Sequence, residues 1–221
     1  MNKIIKLAVL ITSISIVSGC AVHVRAGDNS THKNYDSVFG GIDIDRGARV
    51  GHLSSVNGGI DIDSNATAKS VETVNGGIEI GKKVSISSAE TVNGGIEAGE
   101  GLQVAGNLET VNGSVELVKD TVIMGEIVTV NGDILLEGVE VKKNLETVNG
   151  DIKLKNNTHI LGDLTYQKPG GFFSGWGNDK PVLIIDDTSS VTGIVHLYRP
   201  VELKISEGAK VGEIKRYYTR K

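Results

Sequence analysis

The chain is expected to be all-β, a single-stranded parallel β-helix with about 18 residues in each three-sided coil, and three observations lead there. Val-Asn-Gly recurs six times, at Val56, Val74, Val92, Val111, Val130 and Val148, in steps of 18, 18, 19, 19 and 18 residues. A repeat this short cannot bury a core alone, so each copy must stack on its neighbours. Each period also holds three short alternating segments, as in Ile78-Glu-Ile80, Val84-Ser-Ile86 and Ala89-Glu-Thr-Val92, which place apolar residues on three inward sides. Finally, 29 glycines, 3 prolines and 4% aromatics among 221 residues suit many tight corners around a narrow aliphatic core.

Residues 1–19 read as a secretory signal: Lys3 and Lys6 precede a mostly apolar, serine-containing run too short for a membrane span of about 20 residues. The run closes on Val17-Ser-Gly-Cys20, which resembles the bacterial lipobox. The resemblance implies a diacylglyceryl group on Cys20, the single cysteine of the chain and its mature N-terminus. Two or three acyl chains anchor durably where one holds marginally, so the membrane is the first expected partner. Ala21 after the cysteine resembles the outer-membrane pattern if the host is Gram-negative. Residues 20–35 are expected to be the lipidated N-terminus and a flexible tether.

Residues 36–166 carry the repeats, beginning near Val38, where Phe39 replaces the asparagine. The first inward side is filled by pairs such as Ile60 and Ile62, Ile96 and Ala98, and Ile152 and Leu154; the third side is assigned Ala89 with Val92, Leu108 with Val111 and Leu145 with Val148. Asn-Gly between alternating segments is also a hairpin signal. A meander, however, gives no reason for so strict a period, whereas a coil makes Asn-Gly a corner in which both residues tolerate positive φ. Stacked coils would bring Asn57, Asn75, Asn93, Asn112, Asn131 and Asn149 together as an amide ladder. Parallel crossovers favour a right-handed coil.

Residues 167–181 interrupt the pattern as an aromatic, glycine-rich excursion. Phe172, Phe173 and Trp176, with Tyr166 nearby, are the candidate contact with a protein, glycan or membrane partner; the other reading folds these rings back over one side of the rod. Periodicity returns over residues 182–215, and 216–221 form a basic aromatic tail.

The repeated Glu-Thr-Val-Asn-Gly-Gly-Ile-Glu and Glu-Thr-Val-Asn-Gly-Asp-Ile-Lys units resemble a bacterial adhesin-type β-strand-repeat lipoprotein family, a domain of unknown function, over most of residues 36–165. Ser206-Glu-Gly-Ala-Lys-Val-Gly-Glu-Ile214 is similar to repeats of bactofilins, polymer-forming scaffolds built on triangular β-helices. These resemblances imply a lipid-anchored, adhesin-like or scaffold role at the cell envelope, with self-association through exposed strand edges as the alternative.

The chemistry expected is sparse. Without Lys3 and Lys6 the chain keeps 21 basic against 27 acidic residues, a charge of −6, so no nucleic-acid partner is implied. A hexapeptide-repeat acyltransferase would explain Val74, Ile80, Ile86 and Val92 at six-residue intervals, but the 19-residue steps break the hexads. Of the histidines that such a site would pair with a carboxylate, His23 and His32 fall in the tether and His52, His159 and His196 in unrelated local contexts. Asp43, Asp61, Glu79, Glu97 and Glu116 should form one outward acidic column. Like charges about 5 Å apart repel, so calcium between them is one reading and a solvated face that limits lateral aggregation is the other. No metal site, catalytic residue or cofactor is assigned.

Overall fold

The computed structural model describes residues 24–27, 32–170 and 180–218, and every named element among them is a β-strand. Three parallel sheets run the length of a solenoid of about nine turns. Side one has ten strands, from Val24–Ala26 through Ile78–Ile80 to Glu202–Ile205; side three has ten, from Tyr35–Phe39 through Ser88–Asn93 to Ile214–Arg216; side two has seven, from Ser85–Ile86 to Lys210–Val211. At about 4.8 Å between neighbouring strands, ten strands make a rod about 43 Å long.

Period-two alternation explains the core. Ile42, Ile60, Ile78, Ile96, Val115, Ile134, Ile152 and Leu183 are all fully buried and in register along side one, one per coil. Side two packs a parallel column of Ile86, Val104, Ile123, Val141, Ile160 and Val191. Burying one such side chain contributes about 1.5–3 kcal/mol, and stacking identical side chains lets every coil reuse one packing solution.

Side three departs from the expected pairing. Its inward partners are Ala89 with Thr91, Leu108 with Thr110 and Leu145 with Thr147, all buried, whereas Val56, Val74, Val92 and Val111 face outward and are half-buried; Val130 and Val148 are buried at the same position but outside the core cluster. A strand cannot bury residues three apart on one face, so threonine takes the inner position. The hydroxyls then need partners: Thr73 donates to the Gly58 carbonyl at 2.8 Å, Thr91 to Gly76 at 2.9 Å and Thr110 to Gly94 at 3.0 Å. The same register breaks the hexads, since Ile80 and Ile86 point in while Val74 and Val92 point out.

Asn-Gly does form a corner, though not through left-handed asparagines. A run of positive φ angles falls on the corner between sides one and two, at Gly47, Asn65, Lys83, Gly101, Asp120 and Gly138 in successive coils, whereas at the Asn-Gly corner positive φ falls on glycine alone, at Gly40 and Gly150. Glycine after each ladder asparagine answers to close approach instead: a Cβ on Gly94 would overlap the carbonyl of Gly76, one coil below.

The tether expected over residues 20–35 is shorter than its assignment, and the rod starts before Val38. Val24–Ala26 pairs in parallel with Ile42–Ile44, Ala26 is buried, and Arg25 Nε donates to Asp45 Oδ1 at 2.8 Å. Three residues are too few to show periodicity, yet a preformed sheet edge and one ion pair suffice to place them. Tyr166 is also reassigned: it lies fully buried at the threonine position of its coil, its hydroxyl donating to the Val182 carbonyl at 3.2 Å, and does not join an exposed aromatic group. Burial raises its pKa further above the usual phenol range. Across the excursion the register is kept, with Ile152 pairing Leu183 and Asp151 Oδ1 accepting from Val182 N at 2.9 Å, so residues 182–216 continue the same rod.

Candidate interaction surface

Cys20 and the ring cluster Phe172, Phe173 and Trp176 lie outside the described residues. The six asparagines do come together. Asn75, Asn93, Asn112 and Asn131 each donate from Nδ2 to the Oδ1 of the asparagine one coil below at 2.9 Å, and Asn149 does so at 2.8 Å. All five bonds point the same way. Asn57 ends the run by donating to the Val38 carbonyl at 3.3 Å, because its in-register neighbour is Phe39. The acceptor end, Asn149 Oδ1, receives Nη1 of Arg199, which also donates to the Val148 carbonyl at 2.8 Å.

The outer face of side one carries Asp43, Asp61, Glu79, Glu97 and Glu116 in unbroken register, and with Asp45, Asp63 and Arg25 they line an open groove of about 670 Å³. The column then changes character, to Leu135, Lys153, Ile184 and Lys204. Among the described residues, no group of three or more His, Cys, Asp or Glu side chains is placed to hold a metal ion.

Side three presents a second acidic column, Glu72, Glu90 and Glu109, beside the outward valines. Oε1 of Glu90 is buried without a hydrogen-bond partner, while Glu109 Oε1 accepts from Asn107 Nδ2 at 3.0 Å. Burial first, and then repulsion from Glu109 and Glu72, pushes the Glu90 carboxyl up to about 7.

Toward the last coil the same face becomes aromatic. Tyr198 and Tyr217 stack at 4.5 Å between centroids with 12° between ring planes, and His196 stacks on Tyr217 at 5.8 Å. His196 Nδ1 lies 3.0 Å from Tyr217 Oη, and its Nε2 lies 3.4 Å from Asp163 Oδ2. His52 and His159 contact only serine hydroxyls, Ser70 at 2.6 Å and Ser190 at 2.8 Å, among the bonds described. His196 is therefore the histidine with the carboxylate that acyl transfer would need, but it stands on the outer face of a sheet beside two tyrosines.

Several of these features escaped the sequence reading, with signals of differing strength. Tyr198 and Tyr217 are 19 residues apart, one coil, so their stacking was readable from the period; the Arg199 contact spans 50 residues and no periodicity points to it.

Chemically, the molecule offers an asparagine ladder, two acidic columns, a valine row and an aromatic patch on the outer faces of a three-sided β-solenoid. Comparisons with protein-family models, with characterised proteins and with solved structures returned no match.

Proposed function

We propose that the chain is a lipid-anchored β-solenoid of the cell envelope, held by Cys20, that works as a non-enzymatic adhesin-like or scaffold surface. The observation that carries this reading is the regularity of the rod: side chains of one kind recur over three to six successive coils on its outer faces, an arrangement suited to repeated weak contacts along a partner. Phe172, Phe173 and Trp176 are the proposed specific contact, with a protein or glycan as the partner class. Localisation is proposed as the outer membrane if the host is Gram-negative. The test is metabolic labelling with a palmitate analogue followed by membrane fractionation. Label that disappears from Cys20→Ser, together with release of that variant from the membrane fraction, supports the anchor; label retained by Cys20→Ser overturns it.

One observation favours a second reading, a self-polymerising scaffold. In the last coil the inward Val201, Leu203, Ile205, Ala209, Val211 and Ile214 are only partly buried, leaving an apolar end and three unpaired strand edges. Sedimentation over a wide concentration range separates the two, since a polymer grows with concentration and an adhesin-like monomer does not.

A further inference from the structure

We infer that the first coil of the rod is seated on the phospholipid headgroup layer, with the long axis pointing away from the membrane. This rests on the lipid-anchor reading of Cys20. Only residues 21–23 separate Cys20 from the strand Val24–Ala26. Four Cα-to-Cα steps span at most about 14 Å whatever their conformation. An acylated Cys20 therefore keeps the first coil within one headgroup layer's reach of the bilayer.

Charge disfavours lying flat on side one or side three, and the tether, which enters at the end of side one through Val24–Ala26 and not on side two, favours the end-on pose over lying on side two. Residues 24–52 carry four basic and four acidic side chains, a net of zero, and the cations are shared among the sides: Arg25 on side one, Arg46 and Arg49 toward side two, and Lys33 before the first strand of side three. Residues 53–170 carry seventeen acidic and nine basic side chains, a net of −8, and all members of the acidic columns of sides one and three except Asp43 stand there. An anionic surface repels sides one and three within a Debye length of about 8–10 Å. Because the anchor is at the first coil, that neutral coil is held in contact, and not the C-terminal end, where residues 171–221 carry eight basic and six acidic side chains. The His196, Tyr198 and Tyr217 patch is then displayed at the far end, about 40 Å from the lipid.

Because acylation consumes the single cysteine, a second one can report height. Phe39→Cys in the first coil and Glu207→Cys in the last, both at exposed positions, carry a maleimide dye on acylated protein in vesicles of phosphatidylethanolamine and phosphatidylglycerol with spin-labelled headgroups. The expected result is loss of fluorescence at position 39 and none at 207, and recovery at 39 when a flexible glycine-serine insert of roughly 20 residues follows Ala21. Equal loss at both positions, or no loss at 39 in vesicle-bound protein, overturns the seating while leaving the anchor intact. Mass analysis of the same sample finding Cys20 without acyl chains overturns both.

Discussion

Arg199 closes the column of asparagine amides: its Nη1 donates to Oδ1 of Asn149, fifty residues earlier in the chain. Every amide below Asn149 has its oxygen occupied by the next asparagine up, so Asn149 alone would present an open acceptor at the top of five aligned bonds. Aligned hydrogen bonds polarise one another, which makes the last acceptor the most negative and a guanidinium its natural terminus.

Replacing that guanidinium should therefore cost more than an exposed polar contact. Arg199→Leu leaves the Val148 carbonyl and Asn149 Oδ1 without this donor, and a destabilisation of about 1.5–3 kcal/mol is expected for hydrogen bonds to a charged group. Urea unfolding checks it. A loss under about 0.5 kcal/mol, the range of an ordinary surface change, would mean that the ladder needs no such terminus.

The threonine column makes a paired prediction. Thr91 donates to the Gly76 carbonyl, so Thr91→Val removes a bond inside the core and should destabilise by about 1 kcal/mol. Thr147 occupies the same inward position with its Oγ1 buried and unpartnered. Thr147→Val, nearly identical in shape, should be neutral or stabilising by about 1 kcal/mol. Thermal melts should show a lowered Tm for Thr91→Val and an unchanged or raised Tm for Thr147→Val, and an equal shift in both would show that the Thr91 hydroxyl contributes nothing through this bond.

The period, the alternation of side one and the stacking of the asparagines were legible because each is written one coil at a time. Ile78 and Ile80 repeat as Ile96 and Ala98, and a residue repeated at 18 or 19 positions must meet itself in a stack. The third side was misread because Val-Asn-Gly drew attention to valine as the apolar member, although strand geometry puts Thr91 and not Val92 inward with Ala89. Lysine gives no signal of a left-handed corner, so the positive φ of Lys83 is not legible in the sequence, whereas Asp120 is of a type that tolerates this conformation. Pairings across the excursion, such as Asp151 with Val182 and Asn149 with Arg199, depend on how a 15-residue insertion returns to the rod, and nothing local in the sequence encodes that return.

Glu90 gives a pH dependence whose sign follows from its raised carboxyl. The folded protein holds this proton up to about pH 7, whereas the unfolded chain releases it near the ordinary glutamate value of 4.5. Between those pH values the folded state binds more protons, so stability falls as pH rises from about 4.5 to about 7 and is flat above. With the side chain partly exposed, the loss is discounted to about 1 kcal/mol. Glu90→Gln should be more stable than the parent at pH 8 and nearly equal at pH 4.5. A parent and variant differing by the same amount at both pH values would show that Glu90 titrates normally.

On the monomeric reading, Arg216 in the last coil is the expected guard against end-to-end growth. Arg216 pairs in register with Leu197, which itself follows Tyr166 and Thr147 in the inward column, so a charge stands where every earlier coil places a side chain of the core. A strand stacking on Ile214–Arg216 would have to bury that guanidinium without a partner, a cost of several kcal/mol, whereas the open terminus leaves it exposed to water. Arg216→Leu removes the penalty and continues the apolar column to the very end of the rod. Sedimentation velocity should then show larger species in the variant at concentrations where the parent and Arg216→Lys sediment alike. If Arg216→Leu sediments as the parent does, the inward charge is not what keeps this edge unpaired, and the alternating Glu202, Lys204, Glu213 and Lys215 around it become the next side chains to replace.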